Sequence, residues 1–76
     1  MVEVFKTNVN EYSKAEDLLQ KIHRDFEHCQ ANFDLEDCDK ILRVESRLKT
    51  IDPSEFINLL KESGYLAEVL PDTIPG

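Results

Sequence analysis

The chain has no tryptophan, one methionine, two glycines and no apolar run near the length of a membrane span. Its first residues, Met1-Val2-Glu3-Val4, lack the basic flank and apolar stretch of a secretory leader, so the expected location is cytoplasmic. Two cysteines are too few for a disulfide framework, and in a reducing compartment Cys29 and Cys38 are expected as free thiols. Positive charge is scarce as well: nine lysines and arginines stand against sixteen acidic residues, for a net charge of −7. Nucleic acid and anionic membrane surfaces are therefore not expected partners, because both are held by a surplus of cations.

What is present suits one small domain. The 76 residues are 41% hydrophobic and 33% charged, enough apolar material for a modest core. Residues 1–70 read as that domain. Residues 71–76, with Pro71, Pro75 and Gly76, read as a flexible tail.

The punctuation along the chain predicts six elements. Val2-Glu3-Val4-Phe5-Lys6-Thr7 alternates and is rich in strand formers. After an asparagine-bearing loop, Ser13-Lys14-Ala15-Glu16 fits a capping box. Ala15, Leu18, Leu19, Ile22, Phe26 and Cys29 follow at helical spacing as one apolar stripe. His23, one residue beyond Ile22, is expected to face solvent. Ala31, Phe33 and Leu35 then alternate with polar residues, as do Leu42 and Val44 after a polar link, and the two runs predict a hairpin. A second helix is expected from Asp52 as N-cap, Pro53 at the first position and Glu55 completing a capping box. Phe56, Ile57, Leu59 and Leu60 form its apolar face, and Gly64 supplies the stop before a last strand at residues 66–70.

The order βαββαβ, folded with right-handed crossovers, predicts an α+β domain of ferredoxin-like type. In it a four-stranded antiparallel sheet carries both helices on one face. The other face is then expected to present Phe5, Thr7, Asn32, Asp34, Ile41, Arg43, Glu45 and Glu68. Phe5, Ile41 and Arg43 would be the centre of any interaction surface there, for a protein partner or for self-association. Without stacked aromatics this is not an RNA-binding sheet.

Three parts of the chain resemble the heavy-metal-associated family of copper chaperones and metal-pump domains. They are Val9, the run Ala15-x-x-Leu18-x-x-x-Ile22, and the closing Gly64-Tyr65-x-Ala67-Glu68-Val69. That family binds a soft ion through a Cys-x-x-Cys in its first loop. Here the resemblance puts Glu11 and Lys14 at those positions. A protonated lysine cannot ligate and a carboxylate is too hard for copper(I), so the resemblance implies the frame without its metal chemistry. A non-standard alternative for copper or zinc is His28, Cys29 and Cys38, donors of suitable softness. No nucleophile with its base, phosphate loop or carboxylate pair is legible. Asp34, Glu36, Asp37 and Asp39 lack the spacing of a calcium loop and read as a solvated turn. The expectation is a non-enzymatic binding domain without cofactor. The alternatives are the His/Cys metal site and a dimeric small-ligand regulatory domain.

Overall fold

A computed structural model describes residues 1–48 and 51–70; the tail expected at residues 71–76 lies outside them. Along the chain run β1 (Val2–Thr7), α1 (Tyr12–Asp25), β2 (Cys29–Asp34), β3 (Ile41–Ser46), α2 (Pro53–Glu62) and β4 (Ala67–Val69). The strands make one antiparallel sheet in the order β2-β3-β1-β4, which is compatible with a ferredoxin-like arrangement. Ala15, Leu18 and Ile22 of α1 and Phe56, Leu59 and Leu60 of α2 share one core with Phe5, Ala31, Leu42 and Val44 of the sheet. These sheet residues all lie on one face, since Phe5 pairs with Leu42 and Ala31 with Val44. Both helices therefore cover that face and leave the other open.

The expected position of Phe5 is overturned. Its side chain is 0% exposed and its ring lies 6.0 Å from that of Phe56, in the core. Thr7 follows it inward. Val2, Val4 and Lys6 take the open side, with Val4 directly opposite Arg43. A strand rotated by one residue exchanges its two faces. β1 settles with its largest apolar side chain under the helices because burying a phenyl ring removes more apolar surface from water than burying a valine.

The punctuation of α1 also differs from expectation. Its first intrahelical bond runs from the Ala15 N–H to the Glu11 carbonyl at 3.0 Å, two residues before a Ser13 cap would allow. Glu11 is the extended flanking residue, and no side chain caps the end. Ser13 lies inside the first turn, so its capping box with Glu16 does not form. At the other end α1 stops at Asp25, and Cys29, expected on the helical stripe, opens β2 instead. It is buried all the same. The reason is that Cys29 also shares the alternation of Ala31 and Phe33.

The ends of α2 are as expected in outline. The Asp52 carboxylate accepts from the Ser54 N–H at 3.1 Å and the Ser54 hydroxyl at 2.7 Å, with Pro53 beginning the helix. Ser54 takes the place expected of Glu55 in this cap. Gly64 has φ of +89°, and two bonds close the helix around it: Gly64 N–H to the Lys61 carbonyl at 3.0 Å and Tyr65 N–H to the Leu60 carbonyl at 2.9 Å. This pair of reversed bonds is the Schellman motif, and it aims the chain back toward β4.

Candidate functional site

The open sheet face is organised by register. Val4, Arg43 and Asn32 form one row across β1, β3 and β2, and Val2, Glu45 and Gln30 form the next. Ile41 lies opposite Asp34 and diagonally adjacent to Val4, while Lys6 lies opposite Glu68. Val4 and Ile41 are half-buried; Arg43 and Asn32 are exposed. Asn32, Phe33, Asp34, Ile41 and Arg43 line a depression of about 250 Å³. Of the residues expected at this surface, Ile41 and Arg43 are on it and Phe5 is not. Val4 was the residue missed, although it sits one position away in the same apolar run.

The end of the domain that carries the first loop is tied together by Thr7 and Asn8. The Thr7 hydroxyl donates to the Lys40 carbonyl at 2.6 Å and accepts from the Val9 N–H at 3.2 Å. This links the loop after β1 to the β2–β3 turn, where Lys40 adopts φ of +48°. The Asn8 side-chain oxygen accepts from the Leu66 N–H at 2.9 Å, which joins the α2–β4 loop to the same end. Val9 is fully buried. Glu11 and Lys14 both face solvent. An ammonium group has no lone pair to offer, so these two do not make a donor pair for a soft ion. Tyr12 and Leu66, both about two-thirds exposed, are apolar features of this end that sequence reasoning did not single out.

The proposed trio of His28, Cys29 and Cys38 is not assembled. Cys29 opens β2 with its side chain turned to the core, and Cys38 lies in the turn beyond the other end of that strand. Six residues of extended chain separate the two ends by roughly 17 Å, too far for one ion. His28 packs edge-on against Phe26, with ring centroids 6.5 Å apart. Cys38 instead neighbours Asp37 and Asp39, whose ligating atoms and its sulfur lie within 4.8 Å of one another. The turn already employs both acids. Asp37 accepts from the Asp39 N–H at 2.9 Å, and Asp39 faces Lys6 at 3.9 Å across exposed surface.

His23 has a role that its position in the sequence did not suggest. It sits on the exposed side of α1, yet its Nε2 accepts a hydrogen bond from the Ala31 N–H at 3.1 Å. No local pattern signals a contact between a helix and a strand eight residues later.

Comparison of the chain with protein-family models, with curated proteins and with solved structures finds no match. Among the described residues, no helix is long and apolar enough to cross a membrane.

Proposed function

We propose that this chain is a non-enzymatic protein-interaction domain of ferredoxin-like fold, similar in frame to the heavy-metal-associated domains, that binds its partner on the open sheet face. The strand order β2-β3-β1-β4 supports the fold reading, since two right-handed βαβ crossovers place the first and third strands at the centre. The residues that carry the resemblance have structural roles: Val9, Ala15, Leu18 and Ile22 are buried, and Gly64 closes α2. They speak for the frame alone. Glu11 and Lys14 leave the first loop without soft donors, so metal transport is not part of the reading.

The observation that carries the interaction reading is the make-up of the open face. Two half-buried aliphatic side chains, Val4 and Ile41, sit diagonally adjacent with Arg43 beside them and Asp34, Glu45, Lys6 and Glu68 around them. An apolar centre next to an arginine and ringed by charge is how binding surfaces are commonly built.

The test has two arms. A photo-reactive amino acid at Arg43 is expected to give a discrete crosslinked protein adduct in cells, and the same group at exposed Glu16 of α1 is not. Titration with copper(I) and zinc under reducing conditions is expected to leave the amide resonances of residues 11–14 in place. Crosslinking from Glu16 alone would overturn the surface, and a metal-specific shift confined to residues 11–14 would overturn the loss of metal function.

A further inference from the structure

Among the described residues β2 is an edge of the sheet, with β3 on one side and no strand on the other. The Arg47 N–H donates to the His28 carbonyl at 3.1 Å, which fixes the parity of the ladder. Gln30, Asn32 and Asp34 direct their backbone groups toward β3, and Cys29, Ala31 and Phe33 direct theirs outward. Two of the outward N–H groups are already engaged. That of Cys29 meets the Phe26 carbonyl at 2.9 Å, and that of Ala31 meets His23 Nε2. His23 thus occupies the position that a carbonyl of an added strand would take. A groove of about 400 Å³ runs along this edge, bounded by His23, Glu27, His28 and Arg47. Its side chains offer little guard against strand addition: β2 has no lysine and no proline, and Asp34 is its one charge.

We propose that a second copy of this chain adds to this edge, β2 against β2 in antiparallel sense, with Ala31 opposite Ala31 and His23 as the latch that must swing aside. The Cys29 N–H stays on the Phe26 carbonyl, so the new ladder rests on the two Ala31 residues and on the Phe33 N–H of each copy meeting the Cys29 carbonyl of the other. Backbone and side chains both favour this register. Centring on Ala31 sets outward-facing groups against outward-facing groups. On the open face it places Gln30 opposite Asn32 of the second copy and His28 opposite Asp34, so amide meets amide and imidazole meets carboxylate. On the helix side it places Cys29 opposite Phe33. By the two-fold symmetry each of these contacts occurs twice. Sliding the pair by two residues either way sets Gln30 or Asn32 against itself and separates His28 from Asp34. The product is a continuous eight-stranded sheet. It uses the strand edge rather than the open face, so it stands independently of the interaction reading above.

Sedimentation equilibrium of the whole chain under reducing conditions at about 0.15 M salt tests this, with long-range repulsion between the acidic copies screened beyond roughly 8 Å. The mass is expected to rise from 8.8 kDa toward twice that value with concentration. His23→Ala is expected to move the midpoint to several-fold lower concentration by freeing the Ala31 N–H. Gln30→Lys with Asn32→Lys sets lysine against lysine twice and is expected to weaken the dimer about tenfold, although it reduces the net negative charge. Gln30→Lys with Asn32→Glu sets the two introduced charges against each other only in the proposed register, and is expected to restore association. All four residue changes lie on exposed side chains, and circular dichroism checks that each variant is folded. A mass that stays at one chain for both the wild type and His23→Ala up to millimolar concentration would overturn the proposal. Equal weakening by the Lys/Lys and Lys/Glu variants would do the same.

Discussion

Replacing Phe5 by alanine tests the orientation of β1, on which the open-face reading depends. The ring is fully buried, and Phe56, its neighbour at 6.0 Å, itself packs against Phe26 with ring centroids 4.6 Å apart. Removing one member of this aromatic group leaves a void beneath both helices. Truncations of this kind cost ~3–5 kcal/mol. A 76-residue chain holds about 4–11 kcal/mol in all at ~0.05–0.15 kcal/mol per residue. Phe5→Ala is therefore expected to consume most of the stability and to leave a measurable unfolded population in buffer. Phe5→Leu, which keeps most of the volume, is expected to cost about 1–1.5 kcal/mol and to lower the melting temperature by roughly 4–12 °C. Val4→Ala, a smaller truncation on the open face, is expected to cost under about 1 kcal/mol. Urea unfolding followed by far-ultraviolet circular dichroism measures all three, the chain having no tryptophan to report by fluorescence. Equal midpoints for Phe5→Ala and Val4→Ala, or a larger loss for Val4→Ala, would show that β1 presents the opposite face.

Two further substitutions probe the turns. Thr7→Val removes the acceptor of the buried Val9 N–H and the donor to the Lys40 carbonyl; a loss of about 1–3 kcal/mol is expected in thermal unfolding, and an unmoved transition would refute the tie. Gly64→Ala is expected to cost roughly 1–2 kcal/mol from the left-handed backbone alone, since an added Cβ meets nothing within 4 Å. A much larger loss in urea would reveal a clash that this geometry does not contain.

The sequence made the element order readable because helix and strand periodicities alternate cleanly and because Asp52-Pro53 and Gly64 mark α2 from both sides. It did not disclose which way β1 turns. Val2 and Val4 have one parity and Phe5 the other, so an apolar count over six residues is nearly balanced. The choice is made by Leu42 and Phe56, far along the chain. Cys29 misled for a related reason: it satisfies a helical stripe extended from Ile22 and Phe26 and a strand alternation extended back from Ala31. The separation of Cys29 from Cys38 follows once β2 begins at Cys29, because the whole strand then lies between them. Ser13-x-x-Glu16 matches a capping box, yet the helix gains earlier backbone bonds by starting at Tyr12. Ile41 and Arg43 were legible on the open face because the alternation from Ile41 to Glu45 admits a single parity. The contact of His23 with Ala31 depends on how α1 crosses the edge of the sheet, which no local pattern encodes.

The central place of β1 has a consequence for synthesis of the chain. During synthesis β1 acquires one neighbour only when residues 41–46 have emerged, and the other only with residues 67–69. Among the described residues the β2–β3 hairpin is the one pair of strands that forms locally, so assembly must wait on distant segments and proceeds more slowly than in a helical domain of equal size. Until β4 docks, β1 is itself a border, with its backbone bonds on that side unmade. A nascent chain stalled before residue 67 thus carries an unfinished seam through the middle of its sheet, and that seam offers a route to aggregation which the completed domain closes.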